Sequence, residues 1–171
     1  MKNRIRILTE CFPDTLLIKL LLNTKKIEHE GGKPSVGRKL EKFLTQKGKG
    51  KIVTILDEDS NSQALTHPIF DKFSLLIDIK ELKLKYFHFN NCFIIYFSPN
   101  LEIFLLNAAK IAKVNLEEFK LSSDSKTLHN EISLKRPPKN YNELIKKLLN
   151  INSKSLSSLK ELIKGSSIAK K

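Results

Sequence analysis

The sequence predicts an α/β protein, with a mostly parallel sheet flanked by helices and a basic, helical C-terminal extension. Three observations carry this. Short β-type runs alternate with helical patterns from Ile5 to Leu56, in the order strand, helix, strand, helix, strand, and that alternation favours a parallel sheet with crossover helices. The run Lys51 to Leu56 (KIVTIL) is continuous and rich in β-branched residues, as expected for a central strand buried on both faces. Beyond Ala112 only helical patterns remain, and the charge turns strongly positive.

Ile5, Ile7 and Leu8 form a short strand run ending at Glu10. Cys11-Phe12-Pro13-Asp14 reads as a turn, and Pro suits the first turn of a helix. Thr15 to Leu22 is apolar nearly all round, the signature of an enclosed helix. Lys25 to Glu30 reads as a second strand closed by Gly31-Gly32. Val36, Leu40, Phe43 and Leu44 recur at amphipathic helical spacing, and Lys47-Gly48-Lys49-Gly50 ends that helix. The third strand, Lys51 to Leu56, runs into Asp57-Glu58-Asp59 and a Ser/Asn loop. A short helix is expected around Pro68 to Leu76. Leu82 to Phe89 and Cys92 to Phe97 read as strands joined at Asn90-Asn91, a turn signal. Leu101 to Ala112 is an Ala- and Leu-rich helix with Glu102 in its first turn. Stripes at Leu144, Ile145, Leu148 and Leu149, and at Leu156, Leu159, Leu162 and Ile163, give two further helices, with Arg136-Pro137-Pro138-Lys139 as a linker candidate before them. The expected division is residues 1–115 for the α/β unit and 116–171 for the extension packed on or flanking it.

The chain has 171 residues, enough for one sizeable core. Its net charge is +13, from 31 Lys and Arg against 18 Asp and Glu, and a charge of this size attracts polyanions, nucleic acid first among them. From Lys135 onward there are ten Lys or Arg and two Glu, so most of the excess lies at the C-terminal end. Two cysteines, Cys11 and Cys92, make no disulfide framework and fit a reducing cytoplasm; Cys92, within CFIIYF, reads as a core thiol. Residues 1–10 lack the pattern of a signal peptide, and no apolar run approaches the ~20 residues that cross a bilayer. A homodimer or a protein partner is compatible with the sequence.

The chemistry sits at strand ends. Glu10 ends the first strand, and Asp57 and Asp59 end the third. Parallel strands point their carboxyl ends to one edge, where ligands of open α/β sheets bind. Asp57 and Asp59 alternate in an extended segment, so both face one side while Glu58 faces the other. Carboxylates of this kind suit Mg²⁺ or Mn²⁺. Glu102, at a helix start after another strand, is a further metal-ligand candidate, and Lys33 and Arg38, just after a strand end, are candidates for binding phosphate. An acidic loop after a core strand, or an acid favoured by a helix dipole, is the plainer reading of Asp57-Glu58-Asp59, Asp14 and Glu102 taken singly. His29, His67, His88 and His129 show no metal-ligand spacing.

ILTECFPDTLLIKLLL (Ile7 to Leu22) resembles the opening of the Toprim domain, in which a strand ends in a Glu and leads through a turn to an Asp and an apolar helix. IVTILDEDS (Ile52 to Ser60) resembles the Toprim Asp-x-Asp strand. HEGGKPSVGRKL (His29 to Leu40) and SPNLEIFLL (Ser98 to Leu106) are similar to segments of small stand-alone and OLD-nuclease-associated Toprim proteins of bacteria. The resemblance covers roughly residues 4 to 112 and implies a Mg²⁺-dependent (or Mn²⁺-dependent) site for phosphoryl transfer on nucleic acid, with Glu10, Asp57 and Asp59 as its catalytic and metal-binding residues. Where the family usually has Gly after its Glu, this chain has Cys11. The function expected is a metal-dependent nuclease or related phosphoryl-transfer protein acting on DNA or RNA; the alternative is a non-catalytic module that binds nucleic acid or a protein partner. A doubly wound nucleotide-binding protein fits less well, because no G-x-G-x-x-G follows the first strand.

Overall fold

In chain order the elements are β1 (Ile5–Thr9), α1 (Phe12–Leu22), β2 (Glu28–His29), α2 (Lys33–Thr45), β3 (Lys51–Asp57), β4 (Ser74–Ile79), β5 (Leu84–Phe89), β6 (Cys92–Phe97), α3 (Leu101–Ala112), α4 (Ser125–Ile132), α5 (Lys139–Asn150) and α6 (Lys154–Lys164). The computed structural model describes residues 5–46, 50–58 and 67–165. Asp59 and the loop after it lie outside the described residues.

The six strands form one sheet in the order β2-β1-β3-β6-β5-β4. β2, β1, β3 and β6 are parallel, and β5 and β4 continue the sheet antiparallel. The alternation seen in the sequence therefore does build a mostly parallel α/β sheet. β1 to β2 crosses the sheet one way and β2 to β3 crosses back. Right-handed crossovers in opposite directions put their helices on opposite faces. In agreement, Leu17, Ile18 and Leu21 of α1 pack with Ile7, Val53 and Ile55, whereas Val36, Leu40 and Phe43 of α2 pack with Leu8, Ile52 and Leu56 on the other face. The alternating side chains of β3 are thus buried on both sides. Between Ile52 and Leu56 its apolar run is broken only by Thr54, itself fully buried, because neither face meets water.

The helices after the sheet complete the first of these cores. Leu128 and Ile132 of α4, Tyr141, Leu144, Ile145 and Leu148 of α5, and Leu156, Leu159, Leu162 and Ile163 of α6 are buried in the same cluster as α1, α3 and the sheet. Arg136-Pro137-Pro138-Lys139 connects α4 to α5 along the surface of this core. The positive charge lies on the outer faces of these helices, as their amphipathic stripes require. Among the described residues no helix is long and apolar enough to cross a membrane.

Two expectations need correction. The region around Pro68 to Leu76 is not a helix. A 3-10 turn covers only Pro68–Lys72, and Ser74–Ile79 is an edge strand paired with β5. The run SLLIDI lacks alternation because one strand edge and much of both faces are open: Leu75 and Leu76 are exposed, and the register shifts between Leu75 and Ile77. The second strand is also shorter than Lys25 to Glu30. Only Glu28 and His29 pair, with Leu8 and Thr9. It is followed by Gly31 (φ 66°) and Gly32 (φ 124°), a backbone path that side chains strongly disfavour.

Candidate acidic site

β1 and β3 are neighbours, yet the chain leaves β1 toward β2 and reaches β3 on the other side. The carboxyl ends of β1 and β3 therefore flank the point where the strand order reverses, the place at which open α/β sheets form a ligand crevice. Glu10 immediately follows β1, and Asp57 ends β3. The two meet: the Asp57 backbone N–H donates to Glu10 Oε2 at 3.4 Å. Asp57 Oδ1 in turn accepts the N–H of Leu101, at the start of α3, at 2.8 Å. The carboxyl oxygen thereby satisfies one of the free N–H groups that a helix leaves at its start.

Two more carboxyl groups join them. Asp14, in the first turn of α1, is fully buried. Its Oδ2 accepts the backbone N–H of Cys11 at 3.3 Å, while Oδ1 is buried with no hydrogen-bond partner among the described residues. Glu102, in the first turn of α3, is 4% exposed and contacts His129 Nδ1 of α4 at 2.8 Å.

Burial of so many acids has a predictable electrostatic result. Desolvation raises the Asp57 carboxyl to about 9, and the nearby charges of Asp14, Glu102 and Glu10 add to this against the Leu101 hydrogen bond. Burial also raises Asp14 to about 7, reinforced by Glu10 and Glu102 and opposed by its hydrogen bonds from Cys11. The Tyr141 hydroxyl, buried beside the same acids, is held well above the phenolic range. Burial, then Glu10 and Glu58, pushes Tyr96 up to about 12. The Cys11 thiol is driven upward by burial and by Asp14, the opposite of what a nucleophilic thiolate needs.

The other sequence candidates fall into place around this centre. Glu58 does face away from Asp57: it pairs with Lys85 and accepts from Ser98 Oγ. Burial works against its charge, but these partners and Lys33 bring its carboxyl below the usual range. Lys33 begins α2 and is buried, 7% exposed, near enough to Glu58 for its charge to help lower that carboxyl. Arg38 is exposed on α2 and makes no ion pair with any described acid. Asp59 lies outside the described residues.

Asp14 does occupy the helix-start position expected of it from the sequence, accepting the Cys11 N–H, but the sequence reading includes neither its full burial nor the contact of His129 with Glu102. For Asp14 a signal was present: a helix that is apolar nearly all round is enclosed, so a carboxylate in its first turn has little access to water. For His129 there was none, because α4 and α3 meet only through tertiary packing.

The cluster leaves one oxygen of Asp14 buried without a hydrogen-bond partner among the described residues, and its carboxyl groups repel one another when ionised. As they stand, each acid is held by protein donors. Among the described residues no group of three or more His, Cys, Asp or Glu side chains is arranged to hold a metal ion. Comparisons with protein-family models, with curated proteins and with solved structures each find no match to this chain.

Proposed function

We propose that this chain is a Toprim-like, divalent-cation-dependent phosphoryl-transfer protein acting on nucleic acid, with nuclease activity as its reaction. The observation that carries this reading is the meeting of Glu10 and Asp57 at the strand-order reversal, with Asp14 and Glu102 buried beside them. Glu10, Asp57 and Asp59 would hold Mg²⁺ or Mn²⁺, with Glu102 as a further ligand and Asp14 lending negative charge from below. A bound cation of this type neutralises phosphate charge and activates water. Glu10 would accept or deliver a proton at the rim, and the α3 N-terminus fixes Asp57 through the Leu101 N–H. Buried acids kept partly protonated at neutral pH offer a cation exchange for protons, so affinity rises with pH.

The second reading is a non-catalytic nucleic-acid-binding or partner-binding module. The protein-satisfied hydrogen bonds of Asp57 and Glu102, and the absence of a metal-ready group among the described residues, favour it. Nuclease assays on DNA and RNA with Mg²⁺ and with Mn²⁺ separate the two. Activity that disappears in Asp57→Ala and in Glu10→Gln supports the enzyme. No activity under any of these conditions, with nucleic-acid binding unchanged by both substitutions, leaves the module.

A further inference from the structure

Helix α1 borders a surface cavity as well as the acidic site. Asp14 turns inward, while Phe12, Thr15, Leu16 and Lys19 line this open cavity of about 310 Å³, whose other lining residues are Lys135, Arg136, Pro137 and Asn142. Among the described residues, three cations and no acid line it. A larger cavity, lined by Glu118, Lys120, Lys139 and Glu143 among others, balances its charges, and one between α1, α5 and α6 is mostly Leu, Ser and Asn. The basic cavity also has an aromatic wall. Phe12 is stacked on His29, with ring centroids 3.9 Å apart and planes 17° from parallel, which holds the Phe12 ring in place from one side.

The cavity is fixed to the acidic rim. Thr15 follows Asp14 in α1, and its hydroxyl is 2.6 Å from that of Thr9, the residue before Glu10. On the other wall, Asn142 follows Tyr141, whose hydroxyl donates to the carbonyl of Pro13 at 3.1 Å. A rim carrying several carboxylates repels a polyanion, so a strand that reaches it must be held by cations close by.

We propose that this cavity binds one nucleotide unit of a single nucleic-acid strand, its phosphate on Lys19, Lys135 and Arg136 and its base against Phe12. The assignment rests on the proposed function only in the direction the strand takes, toward Glu10 and Asp57. A cation pocket alone would take any phosphate; the aromatic wall selects an unpaired base, because stacking requires a base freed from a duplex.

Fluorescence anisotropy with a labelled 12-nucleotide single strand, DNA and RNA in turn, tests this at ~0.1 M salt with EDTA present. The acidic site is then without metal, so failure of the cation reading leaves the result unaffected. Lys135→Ala with Arg136→Ala, both on an exposed segment, should weaken binding about tenfold and lower the salt slope by roughly one to two. Lys110→Ala with Lys126→Ala removes equal charge from exposed positions on α3 and α4 and should change binding less than about twofold. Phe12→Leu keeps the charge and should cost fivefold or more, in line with the loss of one stacked base, with unchanged thermal melting showing that the fold is intact. Equal losses in the two double variants, wild-type affinity in a folded Phe12→Leu protein, or tighter binding of a duplex of the same length would each overturn the proposal.

Discussion

The hydroxyl of Tyr141 donates a hydrogen bond to the carbonyl of Pro13, joining α5 to the turn that carries Cys11 and Asp14 across 128 residues of sequence. The acidic rim is therefore built partly from the C-terminal helices. Tyr141→Phe removes the donor and leaves a buried carbonyl without it. The expected cost is about 1–3 kcal/mol, seen as a fall in Tm of roughly 2–10 °C for a chain of this size. A chain ending at Leu134 should lose cooperative unfolding altogether, because it exposes the surfaces that α5 and α6 cover. A sharp calorimetric transition in the shortened chain would show that the sheet and first helices fold without them.

The pH dependence of stability follows from the sign of two shifts. Asp57 and Asp14 have folded-state values raised to about 9 and about 7, above the roughly 3.9 of an unfolded Asp. The folded protein therefore binds protons more tightly than the unfolded chain. Its stability from these groups is full below about pH 4 and is lost as pH rises through their folded values. Tm should fall between about pH 5 and 9. Asp57→Asn imitates the protonated acid, so it should flatten the decline and raise Tm at pH 8 by about 2–6 °C. A steeper decline in Asp57→Asn would contradict the raised value.

Mg²⁺ or Mn²⁺ should reverse that decline. A cation binds the ionised acids of the folded state and stabilises it by mass action. The rise in Tm at ~10 mM Mg²⁺ should be larger at pH 8.5 than at pH 6. Asp14→Asn should raise the metal-free Tm at pH 8 and reduce the cation response. A Tm indifferent to either metal at both pH values would count against the cation site while leaving the fold as described.

Gly37 supplies a separate test on the opposite face of the sheet. A Cβ built there would sit 2.2 Å from Cβ of His67. His67 caps the 3-10 turn by accepting from the Ile69 N–H. Gly37→Ala must displace backbone-proximal atoms and should cost about 1–3 kcal/mol by overpacking, measured by denaturant unfolding. A Gly37→Ala protein as stable as the original would mean that α2 and His67 pack less closely.

The strands that meet on both faces announced themselves. KIVTIL and CFIIYF are rich in β-branched and aromatic residues and lack a polar-apolar alternation because their pleated faces are covered twice, and that local composition is enough to place β3 and β6 at the centre of the sheet. Glu10, Asp57 and Glu102 were also legible, since an acid at the end of a strand or start of a helix is a matter of sequence position. The edge strand β4 was not. Its run SLLIDI has little burial to impose a period, and its strand character comes from pairing with β5.

What the sequence by itself determined is the alternation of strands and helices and the presence of acids at their junctions, because periodicity and turn chemistry act over a few residues. Only the tertiary structure decided that Asp14 and Glu102 belong with Glu10 and Asp57, that His129 contacts Glu102, and that the basic C-terminal helices enclose the same core. Those relations depend on which surfaces meet after the chain has folded back on itself. Desolvation, which raises Asp57 and Asp14, exists only once those surfaces have excluded water.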